Sequence, residues 1–157
     1  MKKEYILTYL KIGFFILIIA GIVWGGAYYI KNQYEEEKWE TTKTNMLLIN
    51  AKIKILEEKV KIKEKGVSYI GTKISEMQED ESVKKLQENK IIEIESKEHE
   101  YYVLNYQDLE KLSLNEIKPE NGYYIVDYKT GEVIYSDGIK DKDGNIFYQL
   151  SEMENIE

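Results

Sequence analysis

The chain has 157 residues and a formal net charge of −7, from 22 basic and 29 acidic side chains, and every basic one is Lys. Without Arg there is no planar fork for phosphate or base edges, and the acidic surplus repels DNA, RNA and anionic headgroups, which argues against a nucleic-acid partner. Cys is absent, which excludes disulfides, thiol nucleophiles, thiolate metal sites and cysteine lipidation. The charge is uneven, since residues 66–157 hold 21 acidic side chains against ten Lys.

Residues 1–11 form a short basic tail with Lys2, Lys3 and Lys11. Residues 12–30, IGFFILIIAGIVWGGAYYI, are nineteen in a row without a charged side chain. At about 1.5 Å per residue they reach roughly 28 Å as a helix, close to the thickness of a hydrocarbon core. The run is expected to be a membrane anchor, with the N-terminus in the cytoplasm on the positive-inside rule and the rest extracytoplasmic. A cleaved signal peptide, with Gly25-Gly26-Ala27 before Tyr28, is the alternative reading. Gly21 and Gly25 form a GxxxG that lets two membrane helices approach closely.

From Asn32 to Lys65 the apolar spacing is helical. Trp39, Thr42, Met46, Ile49, Ile53, Leu56 and Val60 recur at steps of three and four, an a/d seam. Met46, Ile49, Ile53, Leu56 and Val60 are the expected packing residues of this stalk, 31–65. Leu48, Ile55 and Ile62 repeat on a neighbouring face, and the widened stripe is expected to lay one side of the helix on the distal domain of the same chain, as well as, or instead of, on a partner helix. Gly66 is expected to end the helix.

The remainder, 66–157, reads as one small acidic, tyrosine-rich domain. Val67–Ser75 reads as a loop and Glu76–Asn89 as a polar surface helix. Short β-rich runs follow at Tyr101–Leu104, Tyr123–Tyr128, Glu132–Tyr135 and Ile146–Leu150, with Asn105 capping a helix Tyr106–Leu112. Lys129-Thr130-Gly131 and Asp141–Asn145 read as turns. Along Tyr123–Tyr128 the alternation predicts one buried face and one wet face. The fold class is α+β: a transmembrane helix continuing into a long amphipathic helix, packed on a small antiparallel sheet.

Catalytic constellations are sparse. His99, the single histidine, sits in a Lys-Glu-His-Glu run and is expected at the surface without a proton-transfer partner. Phosphate loops, nucleophile elbows and HExxH are missing from the sequence. Asp137, Asp141 and Asp143 do not match a calcium loop, and a hairpin turn accounts for them, with a weak calcium site as the alternative. The sequence therefore predicts no enzyme, no cofactor and no metal, and the strand tyrosines offer a surface for glycan or peptide.

The tail, the apolar helix running into an amphipathic one, and GYYIVDYKTGEVIYSDGI (122–139) together resemble the pilin and pseudopilin-like envelope proteins of Gram-positive bacteria. Gly13-Phe14 imitates their leader junction, but Ile18 stands where the family carries Glu. The resemblance implies a single-pass, membrane-retained structural protein whose partners are the lipid membrane and other proteins, met through the membrane helix or the stalk. Two other classes share these features: a bitopic coiled-coil scaffold of the divisome type, and a membrane-tethered domain for cell-wall glycan.

Overall fold

The computed structural model describes residues 2–119 and 121–155, with side chains at Leu17 and from Ala20 onward. The chain is α+β. Helix α1, Lys2–Lys61, takes part in two compact units, Met1–Glu37 and Lys38–Glu157. In the first unit the described part of α1 is exposed, including Ile22, Val23, Trp24, Tyr28 and Tyr29. Among the described residues no helix is long and apolar enough to cross a membrane. Of the expected span 12–30, the side chains of residues 12–16, 18 and 19 lie outside those described.

The second unit is built on a five-stranded antiparallel sheet in the order β1-β2-β3-β4-β5, so each strand pairs with its sequence neighbour. The strands are β1 Thr72–Lys73, β2 Tyr101–Leu104, β3 Tyr124–Asp127, β4 Val133–Lys140 and β5 Ile146–Gln149. Helix α2 is Glu81–Glu88, α3 is Tyr106–Lys111 and α4 is Leu150–Glu154.

Alternate side chains of the sheet enter two separate cores. Leu104, Tyr124, Val126, Val133 and Tyr135 pack with Met46, Ile49 and Ile53 of α1 and with Leu109 and Met153. Tyr101, Val103, Ile125 and Ile134 pack instead with Ile74 and with Val83 and Leu86 of α2. The expected wet face is therefore covered, and Ile125 and Asp127 are as buried as Tyr124 and Val126. A sheet covered on both faces loses the polar half of its alternation, which is why β3 is buried along its whole length.

Helix α2 thus corrects the expectation of a surface helix. Its polar residues face water, but Val83 and Leu86 are fully buried, and two such side chains on one short helix stabilise by about 1.5–3 kcal/mol each. The helix starts later than expected because Asp80 caps it, accepting from the amides of Ser82 at 2.9 Å and Val83 at 3.2 Å. The expected loop 67–75 contains the edge strand β1, paired Thr72 with Val103 and Lys73 with Tyr102. Two residues are too short a run for alternation to reveal.

Helix α1 ends earlier than Gly66. Lys63 adopts φ +55°, its amide bonds Val60 O and the Glu64 amide bonds Lys59 O, each at 3.0 Å. That is a Schellman closure with Lys at the left-handed position. The same device closes α2 at Lys90 and α3 at Ser113, with φ +58° and +60°. Sequence reasoning looks for Gly there, so all three ends are shifted or unmarked.

Candidate functional site

The α1 residues expected to pack divide by depth. Met46, Ile49 and Ile53 are buried, with exposures of 0, 0 and 1 %, whereas Leu56 and Val60 are half-buried. Asn45 donates to the Tyr124 hydroxyl at 3.3 Å, Asn50 to the Gly131 carbonyl at 2.6 Å, and Trp39 meets Phe147 edge-on at 5.3 Å. These contacts fix the helix to strands β3 and β5 and to the turn after β3. Leu48, Ile55 and Ile62 are not buried on the domain, against expectation, because they lie on the far side of α1 from the sheet. Gly21 and Gly25 lie in the first unit, where an added Cβ would meet nothing within 4 Å, so their side of the helix is open.

The polar centre of the second unit is Asp127, the last residue of β3. Its side chain is fully buried and accepts four hydrogen bonds. The amides of Glu100 and Lys129 reach Oδ1 at 2.9 and 3.0 Å, while His99 Nδ1 and Thr130 Oγ1 reach Oδ2 at 2.6 and 2.7 Å. Burial pushes this carboxyl up, but the Glu100 amide, His99, Thr130 and the Lys129 amide together hold it below its ordinary value. An ionised carboxylate only accepts, so Nδ1 carries the proton and Nε2 is turned away from Asp127. The imidazole stacks on Tyr101 at 5.2 Å and 13°, and burial with the nearby Asp127 charge raises the Tyr101 hydroxyl to about 12.

His99 is therefore a partly exposed imidazole oriented by a buried carboxylate, which corrects the expectation that it has no proton-transfer partner. It borders a shallow cavity of about 280 Å³ with Lys73, Ser75, Ser96 and Lys129 on its walls. The cationic walls are engaged: Lys73 pairs with Glu100 at 3.3 Å and Lys129 donates to the Lys97 carbonyl. Ser96 Oγ accepts the Glu98 amide at 3.1 Å. What this arrangement does in the fold is tie the irregular segment 89–100 to the β3–β4 turn. The sequence signal for it is an Asp inside an otherwise apolar strand, which must find donors. Its partner lies 28 residues away, and no local pattern names it.

The aspartates after β4 form a turn. Asp141 accepts the amides of Asp143 and Asn145 on Oδ1 and the Asn145 side-chain amide on Oδ2, at 2.8–2.9 Å. Its carboxyl is held below its ordinary value, first by that side-chain bond from Asn145. Asp137 is exposed on β4. Among the described residues no three His, Cys, Asp or Glu side chains cluster as metal ligands.

Comparison with protein-family models, with curated proteins and with solved structures finds no match for this chain.

Proposed function

We propose that this chain is a single-pass, membrane-tethered envelope protein of pilin-like build, a structural and interaction protein without catalytic activity. The observation that carries the reading is the division of α1. Met46, Ile49 and Ile53 are buried against strands of the same chain, while the first unit presents an apolar helix with Trp24, Tyr28 and Tyr29 exposed. A seam consumed by its own sheet favours this reading over a scaffold whose stalk is held only by partner stalks. The run 12–30 is the anchor, its aromatic residues suiting the interfacial region. The distal domain, rich in acid and covered on both faces of its sheet, faces outward.

The test is fractionation of the full chain with mass spectrometry, followed by protease treatment of intact cells. Membrane retention with loss of residues 31–157 to external protease is the expected result. A mature protein that begins at Tyr28 and leaves the membrane overturns the tether.

A further inference from the structure

Within the second unit, the side of α1 turned away from the sheet is itself apolar. Leu48, Ile55 and Ile62 are 47, 57 and 72 % exposed, and Leu47 beside them is 40 % exposed. The first three follow at heptad spacing, with the small Ala51 between Leu48 and Ile55. Ile53, two residues from Ile55, is buried at 1 %. A helix with one face on its own core is expected to show a polar back. Here the back carries a second seam, and apolar surface arranged in this way marks a place for another helix.

The flanks say which helix. At about 100° per residue, Lys52 and Lys59 line one edge of the stripe and Lys54 and Lys61 the other. Lys61 is engaged by Glu57 at 2.8 Å and Glu58 at 3.5 Å, whereas Lys52, Lys54 and Lys59 make no ion pair among the described residues. A second copy docked through the same stripe would set Lys against Lys in either the parallel or the antiparallel arrangement. The repulsion disfavours self-pairing and favours an occupant with acidic flanks.

We propose that this face of α1 receives an acidic amphipathic helix of another protein, with aliphatic residues in its seam and Glu or Asp on both flanks. Glu58, seven residues after Ala51 and therefore within the stripe, selects a basic residue opposite it. The inference rests on the reading of the chain as a tethered interaction protein and names the chemistry of its partner.

The experiment uses the full chain in lipid nanodiscs and two synthetic helical peptides of equal length with the same leucine seam, one flanked by Glu and the other by Lys. The Glu peptide is expected to bind, to weaken about tenfold on raising the salt, and to weaken about tenfold again on Ile55→Ser, with the thermal midpoint unchanged. The Lys peptide is expected not to bind. Equal binding of both peptides, or of neither, overturns the inference. The chain has no Cys, so Ile55→Cys carries a single thiol, and efficient disulfide dimerisation through it would replace the acidic partner by a second copy. Fractionation separates the two readings: a chain that leaves the membrane yet binds the Glu peptide overturns only the tether. A membrane-bound chain that ignores the peptide overturns only the partner.

Discussion

Asp127 is buried at the end of β3 and accepts a hydrogen bond from His99 Nδ1 at 2.6 Å. The bond joins two parts of the chain that share no element, the irregular segment before β2 and the turn after β3. Removing His99 leaves Oδ2 with Thr130 alone, so His99→Ala should destabilise by about 1–3 kcal/mol, read by urea unfolding at neutral pH. The Asp127 carboxyl titrates lower when folded than when unfolded. Its stabilisation is therefore present above the ordinary value of 3.8 and is lost as pH falls through the folded value. Asp127→Asn should flatten that acid limb; an unchanged limb would show that other carboxylates set it.

Ile53 and Ile55 test the two faces of α1. Ile53→Ala empties a buried site and should cost about 2–5 kcal/mol, independent of protein concentration. Ile55→Ala removes an exposed side chain and should stay within about 0.5 kcal/mol of the parent. Thermal unfolding over a dilution series measures both. A midpoint for the Ile53 variant that climbs with concentration would mean that a partner helix covers this residue.

Helix α2 covers the second face of the sheet. Leu86→Ala should cost about 2–5 kcal/mol although the helix is short and polar. Asp80→Ala removes the cap and the acceptor of Tyr123 Oη at 3.3 Å, and should cost about 1 kcal/mol. Amide exchange should rise across 81–88 in the capping variant before the rest of the domain responds. Uniform exchange would show that α2 unfolds only with the sheet.

Gly138 permits the irregular pairing between Ile134 and Ile139 on β4. Its φ is +68°, and a Cβ there would stand 2.6 Å from Ile146 Cγ2 and 2.9 Å from Tyr148 Cε1. Gly138→Ala combines a left-handed backbone with overpacking and should cost about 1–3 kcal/mol. A stability equal to the parent would mean that β5 can shift outward at no cost.

The end of α3 offers the opposite sign. Ser113 holds the left-handed position at φ +60°, with its amide on Glu110 O at 2.8 Å and the Leu114 amide on Leu109 O at 2.9 Å. Ser113→Gly keeps both bonds and relieves the strain of an L residue, so the thermal midpoint should rise by the equivalent of about 0.5–1 kcal/mol. A fall would show that the Ser113 side chain contributes more than its backbone costs.

The sequence by itself determined the α+β class, the core face of α1 and the places of four of the five strands. Each rests on local information: helical spacing from Trp39 to Val60, β-rich runs of four or more residues, and Asn105 or Asp141 able to bond their own backbone. Tertiary structure decided the rest. Whether a sheet has one covered face or two depends on where α2 lands, and Val83 and Leu86 alone do not announce that. The strand Thr72–Lys73 exists because β2 offers it an edge, since two residues cannot hold a register unaided. Leu48, Ile55 and Ile62 share the hydrophobicity of Met46 and Ile53, but a helix presents only one side to one sheet, and packing alone left this second stripe uncovered. The partner of Asp127 was likewise a matter of packing, because a buried carboxylate demands donors without saying which distant residue supplies them.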